Sequence, residues 1–257
     1  MKRLIATLGA ALLITACSPD DPQAPAASAA AATSAWMAPP LFDAAEFADG
    51  AVIVSGRAEP GQRIVLTDQT GLAAAASADD QGAFAIRLVL GANLTLWRID
   101  VARGAQEART GQWLAVSAGQ ASAVILRAGA AARPVGPAGL LATADYDGGG
   151  LLVGGRVMPG QPVQVDLNGG PPQTVQGDEQ GWIQARFAAV SPGPHRLRAR
   201  GPTGEQEISL TLAAPSGDAR ARREGGALRI DWPTPGGAGQ ATWVFDPPAG
   251  SDTPSAP

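Results

Sequence analysis

The sequence predicts an all-β protein, with two tandem β-sandwich modules after a signal peptide and a flexible tether. A segment of about forty residues recurs without a gap at an offset of 99 positions (155 minus 56), which indicates a duplicated unit. Within each copy, apolar and polar residues alternate between Gly- and Pro-containing turns, the pattern of half-buried strands. Helical periodicity is not persuasive beyond the N-terminal residues.

The chain starts with a short basic segment followed by an apolar run. Met1–Arg3 precedes Leu4–Ile14, which has the length of a signal-peptide core. The run is too short for a stable transmembrane helix, which needs roughly 20 apolar residues. It ends in the residues Leu13-Ile14-Thr15-Ala16-Cys17. This segment resembles the lipobox of bacterial lipoproteins, in which a small residue precedes an invariant cysteine.

The lipobox resemblance implies that residues 1–16 are removed and that Cys17 is lipidated on its sulfur and its new amine. Several acyl chains anchor a protein stably, because each buried CH2 contributes about 0.8 kcal/mol. Ser18 rather than Asp follows the cysteine. The family's sorting rule then implies a place in the bacterial cell envelope, at the outer membrane facing the periplasm rather than at the inner membrane or cell surface. The alternatives are a signal peptide with an incidental cysteine and a free buried thiol.

The composition argues against disulfide bonds and against nucleic acid as a partner. Cys17 is the only cysteine, so the fold has no intramolecular disulfide. Without Lys2 and Arg3 the formal charge changes from 19 − 23 to 17 − 23, or −6, and no lysine remains. An acidic chain without a basic cluster is not expected to bind nucleic acid. The densest basic run, Arg220–Arg223, lies in a Gly/Pro-rich region and is expected to be a solvated linker.

Composition also divides the mature chain into segments. An Ala/Pro/Ser-rich stretch is expected to be a disordered tether, and the C-terminal stretch is Gly/Pro-rich with an expected hairpin that packs on the second module. Disorder is expected beyond Asp246. The expected boundaries are 17–40 for the tether, 41–128 for module 1, 129–139 for a linker, 140–214 for module 2, 215–257 for the C-terminal segment and 227–246 for its hairpin.

Two turns are repeated in both copies. The sequence GRAEPGQ of Gly56–Gln62 recurs as GRVMPGQ in Gly155–Gln161, and its Pro-Gly pair predicts a type II turn. Asp79–Gly82 and Asp178–Gly181 predict hairpin turns in which the Asp side chain accepts a local backbone N–H. Strands are expected around them and also at Leu94–Val101, Gln112–Leu126, His195–Arg200 and Glu205–Leu212.

The repeated unit resembles the bacterial immunoglobulin-like modules of surface and envelope proteins. Their pattern is approximately G-x-A-x-P-G-x-x-V-x-V, followed by D-x-x-G and an aromatic or apolar strand. The matching positions are Gly56, Ala58, Pro60, Gly61, Ile64, Leu66, Asp79, Gly82 and Phe84, and then Gly155, Val157, Pro159, Gly160, Val163, Val165, Asp178, Gly181 and Trp182. The resemblance covers about two thirds of the chain and implies two tandem immunoglobulin-like β-sandwiches. It specifies a fold rather than an activity.

One feature of the repeat is not required by any turn. Arg57 recurs as Arg156, and we expect each arginine to form a strand-edge salt bridge, to Asp79 and Asp178 respectively.

Catalytic and metal-binding residues are poorly represented, so no catalytic residue, metal or cofactor is predicted. The only histidine, His195, is expected to be an exposed strand residue, and no G-x-S-x-G motif is present. The mature chain also has no lysine for a Ser-Lys dyad. Zinc clusters of His and Cys are absent. A loose calcium site at Asp79/Asp80 or Asp178/Glu179 is the alternative to the turn interpretation.

Tryptophan is the remaining indication of a binding site. Core packing is the favoured interpretation of each ring, and stacking on sugars is the alternative. The candidate binding residues are Trp97, Trp113, Trp182, Trp232 and Trp243.

Together these features predict a lipid-anchored, non-enzymatic envelope protein that acts as a spacer or interaction scaffold. Its partners would be the membrane, through the anchor, and an envelope protein or glycan that the sequence does not identify. The alternative is a lipoprotein that binds glycan or peptidoglycan through exposed aromatic residues. An envelope hydrolase is a third hypothesis.

Overall fold

Nineteen β-strands account for most of residues 37–48 and 50–248, which are the residues described by the computed structural model. A single 3-10 turn, Ala118–Gln120, is the only helix in these ranges. Within them no helix is long and apolar enough to cross a membrane. The signal peptide, Cys17 and the tether up to residue 36 lie outside the described residues, as does the tail from residue 249 onward.

Module 1 is a sandwich of two antiparallel sheets. Its strands are β1 (Leu41–Ala48), β2 (Ala51–Arg57), β3 (Arg63–Asp68), β4 (Ala73–Ser77), β5 (Ala83–Val89), β6 (Leu94–Arg103), β7 (Gln106–Ser117), β8 (Ser122–Arg127) and β9 (Arg133–Pro134). One sheet has the order β1-β2-β5, and the other has the order β4-β3-β6-β7-β8-β9. The first seven strands have the order of an immunoglobulin-like sandwich.

Module 2 repeats that order and is extended at a different strand. Its strands are β10 (Thr143–Tyr146), β11 (Leu151–Arg156), β12 (Pro162–Leu167), β13 (Gln173–Gln176), β14 (Trp182–Phe187), β15 (Gly193–Gly201), β16 (Gly204–Leu212), β17 (Arg220–Glu224), β18 (Ala227–Pro233) and β19 (Gly239–Phe245). One sheet has the order β13-β12-β15-β16, and the other has the order β14-β11-β10-β19-β18-β17. The sequence prediction of an all-β fold with two tandem immunoglobulin-like sandwiches is confirmed.

The repeated turns take the same shape in both copies. Gln62 donates its backbone N–H to the Glu59 carbonyl at 2.9 Å, and Gln161 donates to the Met158 carbonyl at 3.1 Å. Gly61, the third residue of the first turn, has a φ of 73°, and its counterpart in the second turn has the same value. These are the features of a type II turn, in which glycine supplies the positive φ.

The aspartates of the second repeated turn bind its backbone. The Asp79 carboxylate accepts hydrogen bonds from the N–H groups of Gln81 and Ala83, at 2.9 and 2.8 Å. Asp178 does the same with Gln180 and Trp182. Their Oδ1 atoms are therefore occupied by the turn, as the sequence predicted.

The C-terminal segment differs most from expectation. It forms three strands rather than one hairpin, and β19 pairs with β10, so it completes a sheet of module 2. Arg220–Arg223, expected to be a solvated linker, forms most of β17, where Arg220 and Arg222 bind the buried Asp231 at 3.2 and 2.9 Å. A buried carboxylate on the neighbouring strand therefore orders this basic run, because an unpaired buried charge is costly.

Two other differences from the expected strands concern β4, which was not expected, and β7 and β8, which were expected as one strand. Ala73–Ser77 forms β4 by pairing with β3, although alanine favours helices over strands. The strand expected over Gln112–Leu126 is two strands, β7 and β8, joined through the 3-10 turn. Ala121, at the end of that turn, has a φ of 45°, which reverses the chain where the sequence has no proline and a glycine only at Gly119.

Candidate functional site

The structure separates the five candidate tryptophans into core and surface residues. Trp97, Trp232 and Trp243 are at most 1% exposed, so they have no ring face available for stacking on a sugar. For these three the core interpretation is right and the binding assignment is wrong. Trp113 is half-buried against the apolar residues between the modules. Trp182 is half-buried and lines a cleft.

His195 lies on β15 and is engaged in local hydrogen bonds. Its Nε2 is 2.8 Å from the Ser191 carbonyl, and its Nδ1 is 3.0 Å from the Asn168 amide nitrogen. The carbonyl requires a donor, so the proton is on Nε2 and Nδ1 accepts from the amide. Both nitrogens are thus satisfied by the loop at Ser191 and the turn at Asn168 rather than by a carboxylate that could orient a catalytic base.

Metal ligands do not converge in the part of the chain that the structure describes. No group of three His, Cys, Asp or Glu side chains there could hold a metal ion.

The two modules share a third apolar core, which we call the junction cluster. It lies between β6, β7 and β8 of module 1 and the strands β18 and β19. Its buried residues are Leu96, Ala115, Val124, Leu126, Ala132, Leu228, Ile230, Trp232 and Val244. Successive strand residues face opposite sides, so Trp97 packs in the core of module 1 while Leu96 joins the junction cluster. The six-stranded sheet of module 1 is therefore covered on both faces there.

The connection between the modules is held by polar contacts. Residues 129–139, expected to be a linker, contain β9 and the buried residues Ala131 and Ala132. The backbone N–H of Ala131 donates to the Gln184 side chain at 2.7 Å, and that of Ala132 donates to the Asp145 carboxylate at 2.8 Å. Its strand β9 pairs with β8 of module 1, so the segment is packed against both modules rather than spanning a gap.

Asp145, on β10, is the buried carboxylate that binds the connection. It also accepts hydrogen bonds from Thr242 Oγ1 at 2.6 Å and from Gln240 Nε2 at 3.2 Å. Burial raises the pKa of Asp145 to about 6, against the opposing effect of these bonds and of the nearby Arg127. Trp232 Nε1 donates in turn to Thr242 Oγ1 at 3.1 Å, which links the carboxylate to the junction cluster.

A second buried charge network supports the C-terminal strands. Arg229 is 1% exposed, and its guanidinium donates to Asp231 at 2.7 Å and to the carbonyls of Ala213 and Ala214. The same group lies over the Trp243 ring, 4.7 Å from its centroid. Every polar partner of this arginine belongs to the scaffold, so the network is structural.

A cleft of about 400 Å³ opens where the modules meet. We call it the junction cleft. Its walls are the end of β8, the connection with β9, the strand β13, the turn after it and the start of β14. The lining residues are Arg127, Ala131, Ala132, Arg133, Val175, Gln176, Asp178, Trp182, Ile183 and Gln184.

Positive charge surrounds Trp182 in the junction cleft. The guanidinium carbons of Arg133 and Arg156 each lie 5.3 Å from the centroid of its ring. Arg133 also donates to Asp178 Oδ2 at 2.8 Å. Arg127 donates only to the Ala131 carbonyl, at 3.4 Å, and forms no ion pair among the residues described.

Burial changes the pKa of two arginines that line the cleft, Arg127 and Arg133. It lowers the pKa of Arg127, although the nearby Asp178 and Asp145 oppose the effect. Burial also lowers the pKa of Arg133, and repulsion from Arg127 adds to it, while Asp178 opposes it. For both arginines the effect of burial on the pKa outweighs the attraction of the nearby carboxylates.

The repeat shows that the junction cleft belongs to one copy only. Arg57 pairs across the strands with Ala83, while Arg156 pairs with Trp182. Arg57 forms an exposed ion pair with Asp43 at 3.1 Å, so the salt bridge expected to Asp79 is wrong. In the second copy Arg133 takes the expected place of Arg156 beside Asp178.

Sequence reasoning missed Arg127 and Arg133, because neither belongs to a motif and both lie near or in the expected linker. The signal that was present is the register of the repeat. Trp182 aligns with the exposed Ala83 rather than with the buried Phe84, and Ile183 aligns with Phe84. A large aromatic residue at an outward-facing position is the kind of exception that marks a binding surface.

Comparisons with known proteins give similarity of fold only. No protein-family pattern matches the sequence, and no curated protein is similar to it. The central fibronectin-III array of RIM-binding protein is 11% identical over 77% of this chain and 72% of its own, with a TM-score of 0.29. Invasin, a bacterial integrin-binding protein, is 12% identical over 79% of this chain and 53% of its own, with a TM-score of 0.23.

A two-domain fibronectin type-III segment of chicken tenascin is 14% identical over 67% of this chain and 99% of its own, with a TM-score of 0.21. This chain thus spans about half the length of the invasin structure. At these scores the similarities do not bear on function, and the fold assignment rests on strand order and core packing.

Proposed function

We propose that the protein is a non-enzymatic scaffold of the bacterial cell envelope, lipid-anchored at Cys17, whose two modules act as one rigid body. The junction cluster is the observation that carries the proposal. Tandem sandwiches joined by a free linker would change their relative orientation readily. Here nine buried apolar residues from module 1, the connection and the strands β18 and β19 of module 2 form a common core.

The polar sites of the described residues support a non-enzymatic role. The buried charges at Asp145 and Asp231 bind scaffold groups, and His195 is satisfied by its own module. Three of the five tryptophans that the glycan-binding alternative requires are buried in the cores and cannot contact a glycan. Hydrolysis of an envelope polymer by the purified protein would contradict the proposal.

The lipid anchor is tested by fractionation of bacteria that express the full-length gene. The Cys17→Ser variant is expected to leave the membrane fraction and to lose incorporation of a labelled fatty acid. Ser18→Ala is the matched control, because it changes the neighbouring residue and keeps the acylated sulfur. A Cys17→Ser protein that stays acylated in the membrane would rule out this anchor.

Rigidity is tested by the distance between spin labels on the two modules. Labels at the exposed strand positions Arg87→Cys and Thr211→Cys, in a full-length Cys17→Ser chain, are expected to give one narrow distance distribution. Adding Leu228→Asp places a charge in the junction cluster and is expected to broaden it. Adding Leu72→Asp, at an exposed turn position, is the control. A broad distribution without either substitution would contradict the rigid-body proposal.

A further inference from the structure

The junction cleft has the features of a ligand site rather than of an ordinary gap between modules. Its volume of about 400 Å³ lies in the range of small-molecule pockets. Its lining combines the flat ring of Trp182 with charged groups on two different walls. Trp182 lies on β14, whereas Arg127 and Arg133 come from β8 and β9.

The charge of the cleft selects the ligand. The guanidinium groups of Arg133 and Arg156 lie over the Trp182 ring, and Arg127 lines the same cleft. Asp178 is the one carboxylate among the lining residues. Asp178 is also limited as a partner, because its Oδ1 binds the turn and only Oδ2 reaches Arg133. A cleft with excess guanidinium charge in an acidic chain attracts an anion.

Arg127 is the group that most needs a partner. It is half-buried, and among the residues that the structure describes its one hydrogen bond is the long one to the Ala131 carbonyl. Asp178 and Asp145 act on it only at a distance. Removing a cation from water costs free energy unless it is paired, and a guanidinium presents two parallel donors that match a carboxylate.

We propose that the junction cleft binds a small organic carboxylate, with Arg127 on the carboxylate. The part of the half-buried Trp182 ring that Arg133 and Arg156 leave exposed would lie against the apolar or sugar-like body. A single sugar acid or a single amino-acid residue is small enough to enter a cleft of about 400 Å³. The cleft is separate from the anchor, and therefore this inference does not depend on the proposed function. A ligand site in the second copy would explain why Arg156 lies over the Trp182 ring, whereas its counterpart Arg57 lies opposite Ala83.

Isothermal titration calorimetry of the purified full-length protein tests the proposal with two charged probes and their neutral analogues. D-Glucuronate is compared with D-glucose, and N-acetylalanine with N-acetylalaninamide. At least one carboxylate is expected to bind with a Kd on the order of a millimolar or tighter. The probe that binds identifies a sugar acid or an amino acid. Equal binding of both neutral analogues, no binding of either carboxylate, or tighter binding of inorganic phosphate would overturn the assignment.

Variants separate recognition from folding. Arg127→Gln is expected to weaken carboxylate binding roughly tenfold or more, whereas Arg57→Gln, the counterpart of Arg156 in the first copy, should leave it unchanged.

Asp178→Asn keeps an oxygen acceptor for the turn and removes the competing charge, so it should strengthen binding although it breaks the ion pair with Arg133. A merely structural role of these groups would not produce that gain. Unchanged affinity in Arg127→Gln, with an unchanged melting temperature, would refute the proposal.

Discussion

The carboxylate of Asp145 accepts the backbone N–H of Ala132 at 2.8 Å and thereby ties the connection between the modules to β10. The same group binds β19 through Thr242 and Gln240. The connection, β10 and the distant strand β19 therefore meet at a single buried carboxylate, whose protonation should influence the stability of both modules.

Stability is expected to depend on the proton at Asp145. The folded-state pKa is raised to about 6, above the ordinary value of 3.8, so between these values the folded chain holds a proton that the unfolded chain has lost. The contribution is fully present below about pH 4 and is lost as the pH rises through about 6. Its size is on the order of 3 kcal/mol, from roughly two pKa units.

Urea unfolding between pH 4 and 7 measures this dependence. The Asp145→Asn variant is expected to lose most of the slope, even if its absolute stability falls because the new amide faces the N–H of Ala132. Asp80→Asn, at an exposed turn position, is the control and should keep the slope. Equal slopes in Asp145→Asn and the control would contradict the prediction.

The glycine that starts each repeated motif is expected to be intolerant of alanine. A Cβ at Gly56 would clash with the Leu41 carbonyl oxygen, and a Cβ at Gly155 would clash with the Leu140 carbonyl oxygen. Gly155→Ala should therefore abolish folding of module 2 or cost several kcal/mol. A Cβ at Gly160 would contact nothing, so Gly160→Ala should cost only the strain of an alanine at positive φ, about 1–2 kcal/mol. Similar unfolding midpoints in urea for the two variants would show that the close approach is unimportant.

The junction cluster is expected to couple the unfolding of the modules. Trp232 is fully buried, so Trp232→Ala should lower the free energy of unfolding by about 3–5 kcal/mol. Because the lost contacts lie between modules, calorimetry should resolve two transitions where the parent protein gives one. Met158→Ala, at a residue 63% exposed, is the control. Two transitions already present in the parent would contradict the coupling.

The aspartate of the hairpin turn is expected to act through its oxygen rather than its charge. Asp79→Ala removes the acceptor for Gln81 and Ala83 and should cost about 1–2 kcal/mol. Asp79→Asn keeps an oxygen at the same position and should cost much less. Thermal unfolding compares the two variants, and equal losses would indicate that charge is what matters there.

The repeated part of the fold could be predicted because its signals are local. Gly61 and Asp79 act within four residues of themselves, so the sequence around each is enough to identify the turn. Burial of Ile64 and Leu66 follows from strand alternation in the same way.

The junction could not be predicted because its signals are distant. β17 depends on Asp231, and β19 on pairing with β10, a hundred residues earlier. Arg133 forms an ion pair with Asp178, 45 positions later in the chain, and the sequence near either residue does not indicate that contact. Sequence periodicity shows which face of a strand is apolar. It does not show which partner covers that face.

The strands that join the two sandwiches are the ones that the duplication did not copy. β8 and β9 follow the first repeat and β17–β19 follow the second, and the two sets extend different sheets. A third copy of the unit, placed after either one, would bring no complementary surface of its own. The non-repeated strands therefore limit the assembly to two modules, and further duplication of the unit would not extend it.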